Sequence, residues 1–554
     1  MPEPRWWGWG TQDTTYPLDE RPHFLPFLNA ALGLTGQESG SVVSPDQIAL
    51  PASRLAQPIL GALADALGPD GVSTTHRDRL LHACGKSYRD LVRLRAGQVE
   101  RAPDAVAFPT NEQAVLAVLR LAQEHGFSVV PFGGGTSVTG GVEPLGDRPV
   151  LDLDLRRLDQ VLAVDPVSRT ATVQAGILGP ALEAALNVRG FTLGHFPQSW
   201  EFSSLGGWIA TRSAGQQSTG YGKIEDMVVS LTVMTPSGLL DTRTVPASAA
   251  GPSLRELLVG SEGTLGVITR ATLRLRPLPA ASDYRGVVFH NLAAGAEAIR
   301  DIVQDGLHPV TLRLSDPAET HASLVLQRQH PGFGAWVQAV GKLALARLGY
   351  DLRAREPFAG YDDRPVLLIL GCEGEPGAVR RTRGECLGIC RRHGGFDLGR
   401  GVGRQWYAER FALPYLRDVL LDRGVLTDTL ETATVWSNLL NLHGRVRAAL
   451  REAGAPFVMC HVSHVYLTGA SLYFTFLARQ DPGREIPQWQ TLKRAATDCI
   501  MANGGTLTHH HGVGYEHAPW LPAEDGERGI AALRGVKAAL DPTGIMNPGK
   551  LLPS

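Results

Sequence analysis

The sequence predicts an α+β fold divided into several domains. Three observations predict it. At 554 residues the chain is too long for one hydrophobic core. Segments of helical period and short β-branched runs follow one another along it. Three glycine-rich loops each adjoin such a run.

Composition narrows the class. Hydrophobic residues make up 43% and charged residues 19%, the balance of an ordinary soluble enzyme. A formal net charge of −2 supplies no basic field to displace counterions, so no nucleic acid is expected as a partner. Six dispersed cysteines do not form a disulfide framework. Cys386 and Cys390 have the spacing of one helical turn rather than of a zinc knuckle, and no metal site is expected. No apolar run reaches the ~18 residues needed to cross a bilayer. The start, Met1–Trp9, lacks a secretory pattern. The expectation is a cytoplasmic protein, at most peripheral to a membrane.

In chain order, residues 1 to about 100 read as an extended aromatic arm and a helix over Pro51–Leu67, with no evident chemistry. At Thr110-Asn111-Glu112-Gln113 a helix opens, with Thr110 as N-cap and Gln113 completing a capping box. Val115, Val118, Leu119 and Ala122 continue it at helical spacing, and Gly126 ends it. Ser128–Pro131 is a strand, and Val150–Leu155 alternates strictly, as a half-buried strand does. Val161–Val164 and Thr170–Ala175 are two more strands, followed by a helix over Leu178–Val188 closed by Gly190. Val228–Met234 is a further strand.

The first loop is Pro131-Phe132-Gly133-Gly134-Gly135-Thr136-Ser137. Glycines let backbone N–H groups approach a ligand closely, and successive N–H groups make an anion nest suited to a pyrophosphate. It is not the dinucleotide fingerprint, because Val138 stands where the third glycine belongs. Gly85-Lys86-Ser87 is not a P-loop, because Leu80 stands where that motif opens with glycine. The second loop runs from Pro197 through Ser203-Ser204-Leu205-Gly206-Gly207 to Thr211. The third is Ser261-Glu262-Gly263-Thr264-Leu265-Gly266-Val267-Ile268, in which Ser261 is placed to cap and Val267-Ile268 re-enters a strand.

P-x-G-G-G-T-S, then S-S-L-G-G, then S-E-G-T-L-G-V-I resembles the FAD-binding domain of the vanillyl-alcohol oxidase / p-cresol methylhydroxylase superfamily. The tail Asp541–Lys550 resembles that superfamily as well. The resemblance implies two α+β subdomains with FAD between them over residues 101–280. A C-terminal substrate or cap domain over 281–554 and an N-terminal arm over 1–100 complete the chain. It implies that Pro131, Gly133, Gly134, Gly135, Thr136 and Ser137 cradle the pyrophosphate. Pro197, Ser199, Glu201, Phe202, Ser203, Ser204, Gly206, Thr211 and Ser213 would wrap the rest of the FAD. So would Glu262, Gly263, Thr264, Leu265, Gly266, Val267 and Ile268. Some relatives tether flavin through a histidine; Thr136 interrupts this loop instead, so non-covalent FAD is expected.

Three features of the C-terminal half carry chemistry. Thr508-His509-His510-His511-Gly512-Val513-Gly514 sets three imidazoles side by side, able to shuttle protons near neutral pH at an ordinary pKa of ~6.5. As a metal site the run is poor, since neighbours on an extended chain point to opposite faces. Tyr473 lies in an alternating strand after Gly469, where its phenol can serve as acid or base. Arg417 in Leu413–Asp418 and Arg313 in Leu312–Asp316 are guanidinium groups in apolar segments, suited to phosphate or carboxylate. The stretch Gly332–Tyr350 is rich in Phe, Trp, Val and Leu and reads as a core helix or the wall of an alkyl channel.

H-H-H-G-V-G, Y-L-R-D, T-L-E-T before Trp436 and G-A-S-L-Y-F together resemble the alkyldihydroxyacetonephosphate synthases, the ether-lipid branch of the superfamily. That likeness implies an active-site set of His509, His510, His511, Tyr473, Arg417 and Arg313. It implies exchange of the acyl group of acyl-dihydroxyacetone phosphate for a fatty alcohol by way of flavin N5, with no net redox change. Tyr473 would exchange the C1 proton, and the arginines would hold the phosphate and the leaving carboxylate. Family analogy also suggests a homodimer. The rival is an FAD-linked D-2-hydroxy-acid oxidase or dehydrogenase. Against it, His461-Val462-Ser463-His464 lacks the Gly-Asp-Gly-Asn of that group, and His510 stands where its Glu-His-Gly has glutamate.

Overall fold

The computed structural model describes residues 4–326 and 364–552. The Gly332–Tyr350 stretch lies outside the described residues. Helices and sheets segregate as an α+β fold around three main sheets.

The first sheet has the strand order Val72–Ser73, Ala105–Ala107, Val150–Asp154, Ser128–Phe132. Its last three strands are parallel, with the helix Glu112–His125 connecting two of them. That helix is capped by Asn111, whose side chain accepts from Ala114 N–H, rather than by Thr110 one residue earlier. Gly126 closes it in the left-handed region. Strand Val150–Asp154 is buried along its whole length, not half-buried. It is a middle strand, and the alternating aspartates face the interior, where Asp154 takes His82 at 2.9 Å and Arg156. The tail returns here: Val129 N–H donates to Ile545 O and Asn547 N–H to Val129 O.

The second sheet is antiparallel, in the order Val161–Asp165, Thr170–Gln174, Val267–Arg274, Val228–Thr235, Gly238–Asp241. Both sheets share one hydrophobic core with the helices around them.

The third sheet has seven antiparallel strands: Phe396–Asp397, Ala281–Phe289, Val366–Gly374, Thr311–Ser315, Phe457–Val465, Gly469–Arg479 and Val425–Val435. Helices Leu292–Gln304, Pro376–Arg392, Leu439–Glu452 and Glu485–Ala502 pack on it and bury a second core. The 376–392 helix holds Cys386 and Cys390 one turn apart, both buried.

The N-terminal segment is more structured than an extended arm. Its helix Phe24–Leu32 joins Trp9, Tyr415, Leu416, Phe457 and Leu477 in a separate apolar cluster. Asp418 pins its start, accepting from Arg5 at 3.2 Å and from Trp9 N–H at 2.7 Å. The helix expected from Pro51 begins only at Gln57, with Pro58 in its first turn. No helix among the described residues is long and apolar enough to cross a membrane.

Candidate active site

The three glycine loops meet around one cavity of about 420 Å³. The first leaves the end of strand Ser128–Phe132. Among the described residues, the N–H groups of Gly133, Gly134, Gly135, Thr136 and Ser137 find no acceptor in the protein. Such a row of unpaired donors lining a cavity fits a pyrophosphate. The glycines are also required by packing. A Cβ on Gly134 would stand 1.6 Å from Phe202 O, and one on Gly133 2.1 Å from Ser204 Oγ, so the first and second loops touch through them. Ser204 caps the helix Leu205–Ala210. In the third loop Glu262 has φ +49° and Gly263 φ +72°. Ser261 does not cap a helix; its carbonyl accepts from Thr264 N–H in a tight turn.

Most of the expected FAD residues line this cavity. They are Pro131, Gly133–Ser137, Pro197, Ser199, Ser203, Ser204, Gly206, Thr211, Ser213, Glu262, Gly263, Gly266 and Ile268. Glu201, Phe202, Thr264, Leu265 and Val267 do not. Phe202 packs edge-on against Trp9 at 5.6 Å. Thr264 bonds back to Ser261 O, and Leu265 and Val267 belong to the core beneath the loop. The donor set and the close-packed loops fit FAD.

At the other end of the cavity, Tyr473 stands directly between Glu431 and His461 in register across three adjacent strands. Cross-strand partners share one face of a sheet. The Tyr473 ring stacks on His461 at 4.8 Å and meets His511 edge-on at 5.4 Å. Burial pushes its phenol up to about 12, so it is a proton donor at neutral pH rather than a resting base. His461 Nδ1 bonds Glu319 at 3.1 Å, and Glu319 pairs with Arg313 at 2.5 Å. Burial opposes charge on Glu319, but His461 and the cationic Arg313 outweigh it and hold the carboxylate at about 2. Arg417, on helix Leu413–Leu421, donates from Nη1 to Lys86 O at 2.7 Å. Its Nε is buried with no partner among the described residues, and the neighbouring Asp418 is taken by Arg5 instead. Arg313, Arg417, Tyr473, His510 and His511 all line the cavity; His509 does not.

The histidine run is not extended. It curls around the buried Glu431 carboxylate, which accepts from Thr508 Oγ1 at 2.7 Å, from His510 N–H at 3.1 Å, from His511 N–H at 2.8 Å and from His509 N–H. On the far side Glu262 accepts from Val513 and Gly514 N–H at 2.6 and 2.7 Å. The rings are thereby brought to one side of the chain, with successive centroids 5.2 and 4.7 Å apart. Desolvation then lowers their affinity for protons: His509 falls to about 3, and His510 and His511 also fall, despite Glu431. They are neutral imidazoles at pH 7, not groups titrating at ~6.5. His464, His509 and His510 bring ring nitrogens within 4.8 Å of one another. Within this candidate metal-ligating group, His509 Nδ1 and His510 Nδ1 lie 3.0 Å apart, so the curled run, unlike the extended one expected, brings imidazole nitrogens together.

Several lining residues escaped the sequence reading. Trp9, Phe24, Phe27 and Leu28 wall the cavity from the N-terminal segment. Glu319, His461 and Lys86 set the positions of Arg313, Tyr473 and Arg417. The pattern offered one signal: Glu431 is an acidic residue in an otherwise uncharged run of strand Val425–Val435 after Asp428, which marks a buried partner.

Comparison with known proteins places this geometry. Residues 103–242 match the model of the FAD binding domain family, and residues 278–551 that of the FAD linked oxidases, C-terminal domain. An alkyldihydroxyacetonephosphate synthase of Dictyostelium discoideum is 38% identical over 88% of this chain and 79% of its own length. One of Trypanosoma brucei brucei is 34% identical over 100% and 93%. A solved alkyldihydroxyacetonephosphate synthase superposes with a TM-score of 0.83 at 31% identity, covering 98% of this chain and 97% of that one. p-Cresol methylhydroxylase shares the fold at a TM-score of 0.67 and 15% identity, over 91% of this chain and 99% of that one. The chain belongs to the alkyldihydroxyacetonephosphate synthase family, within the FAD-linked oxidases.

Proposed function

We propose that this protein exchanges the acyl group of acyl-dihydroxyacetone phosphate for a fatty alcohol, giving an alkyl ether and a free fatty acid. One observation carries the reading. A single cavity joins the glycine loops, two arginines and the Tyr473 phenol to an apolar wall of Trp9, Phe24, Phe27 and Leu28, as an amphiphilic substrate requires. Residues 101–280 hold the cofactor, and residues 281–554 with the N-terminal segment shape the substrate space.

FAD, held without a covalent tether by the glycine loops, would supply a nucleophilic flavin nitrogen for the exchange at C1. The chain's own residues do the rest. Arg417, whose Nε has no partner among the described residues, binds the phosphate; Arg313 is already paired with Glu319, which also orients His461. The neutral His510 imidazole accepts the C1 proton and later returns one. The Tyr473 O–H, held protonated by burial, donates to the departing carboxylate and is restored by the proton of the attacking alcohol. The site works at the surface of a membrane that carries its lipids, and a homodimer is its assembly.

The test is incubation with palmitoyl-dihydroxyacetone phosphate and hexadecanol in the absence of any electron acceptor. Equal amounts of ether and palmitate support the proposal. Dye reduction by D-2-hydroxy acids without ether formation refutes it.

A further inference from the structure

We propose that Arg5 is a positioning residue acting through Asp418 on Arg417: by neutralising Asp418 it leaves the Arg417 charge uncompensated and available to the substrate phosphate. The inference rests on the exchange reaction proposed above, in which Arg417 binds the phosphate of acyl-dihydroxyacetone phosphate.

Arg417 and Asp418 are neighbours on helix Leu413–Leu421. Although successive helical residues point apart, Asp418 is the carboxylate whose charge acts most strongly on Arg417, ahead of Asp428. That charge is met from the N-terminal strap, residues 5–14. Arg5 Nη1 donates to Asp418 Oδ2 at 3.2 Å, and Trp9 N–H donates to the same oxygen at 2.7 Å. Both side chains of the Arg5–Asp418 pair are buried. The strap is shaped for this contact. Arg5 N–H donates to Gly10 O at 2.8 Å and Arg5 Nη2 to Thr14 O at 2.5 Å, so the strap closes on its own guanidinium. Gly8 has no room for a side chain, because a Cβ there would run into the Asp418 carboxylate.

The other cations near Asp418 are engaged elsewhere. Lys86 Nζ donates to Arg5 O at 3.0 Å and to Trp6 O at 3.4 Å, and Arg95 pairs with Asp422. Among the described residues Asp418 Oδ1 and Arg417 Nε have no hydrogen-bond partner. Without Arg5, Arg417 is the cation left to balance Asp418, and a carboxylate uncompensated beside the phosphate site also repels an anion. Lys86 O, 2.7 Å from Arg417 Nη1, fixes where the guanidinium sits, whereas Arg5 governs how much of its charge is left for a ligand. One carboxylate thus serves both ends of the substrate space, since Trp9, held by its N–H on Asp418, and Arg417 both line the cavity.

The experiment follows steady-state ether formation by holoenzyme, with palmitoyl-dihydroxyacetone phosphate and hexadecanol varied in turn. Arg5→Met should raise KM for palmitoyl-dihydroxyacetone phosphate about tenfold, while kcat and KM for hexadecanol stay within about twofold. Adding Asp418→Asn to that variant should return KM to within about threefold of the parent, because the amide carries no charge and its oxygen still accepts from Trp9 N–H. A merely structural loss is deepened by the second substitution, not reversed. An unchanged KM in Arg5→Met overturns the proposal. So does an equal rise for both substrates, or a double variant no better than the single one. If Arg5→Met does not retain flavin, Asp418→Asn alone decides: a KM at or below that of the parent supports the proposal, and a higher one overturns it. Failure of the wild-type protein to form any ether refutes the exchange reaction itself and is distinguishable from each of these results.

Discussion

Glu431 and Tyr473 are direct partners across the antiparallel strands Val425–Val435 and Gly469–Arg479, with His461 the next residue in the same row. One face of one sheet thus carries the carboxylate that folds the histidine loop, the phenol, and the imidazole that stacks on it. The fixed spacing of the sheet sets these groups relative to one another, while loops bring in only the histidines.

Glu431→Gln tests that dependence. An amide offers one acceptor oxygen where the carboxylate serves four donors, and its NH₂ must face backbone N–H groups. Losing charge-assisted bonds to a buried carboxylate costs about 1.5–3 kcal/mol. The variant is expected to release flavin at a lower temperature and to lose most turnover, read by flavin fluorescence on heating and by ether formation.

Tyr473→Phe removes only an O–H. The ring still stacks on His461, so folding and FAD content should match the parent. Turnover is expected to fall by at least about 100-fold, the low end for loss of a general acid. Product quantification against bound flavin checks it.

Gly134→Ala probes the contact between the first two loops. Its Cβ would meet the Phe202 carbonyl at 1.6 Å, and backbone cannot yield as a side-chain tip does. Overpacking of this kind costs about 1–3 kcal/mol, and here it parts the loops that form the cofactor cradle. Purified variant should carry little flavin, measured as the ratio of visible to ultraviolet absorbance.

Glu319 predicts a pH dependence. Its folded-state value of about 2 lies below the ordinary 4.5, so the native state binds fewer protons than the unfolded chain between those values. Its stabilisation is therefore present above about pH 4.5 and is lost as pH falls toward 2. Glu319→Gln should be less stable than the parent at pH 7, and the gap should narrow on acidification, followed by thermal unfolding at both pH values.

The cofactor half was legible because its loops are dictated locally. Glycine is demanded wherever backbone meets backbone, as at Gly134, and the demand is written in consecutive residues. Cap positions were less certain: Thr110 and Asn111 are both good N-caps, and the choice of Asn111 is made by where the helix packs. The reacting half was legible in its residues but not in their state. Histidines 509–511 lose their affinity for protons through burial that only the tertiary fold creates, and they converge because of Glu431, almost eighty residues away in sequence. The strand Val150–Asp154 misled by its alternation, since buried aspartates, Asp154 paired with His82 and Arg156 and Asp152 with no hydrogen bond among the described residues, have the same pattern as solvent-facing ones. Asp418 binding Arg5 and Trp9 makes the N-terminal segment part of the cavity wall, a contact no local pattern encodes.

The most direct test of the central claim is the fate of oxygen from ¹⁸O-labelled hexadecanol. Exchange at C1 predicts that the label appears in the ether and that the released palmitate carries none. Label in a palmitoyl ester, with no ether, would mean attack at the acyl carbonyl and would contradict the account.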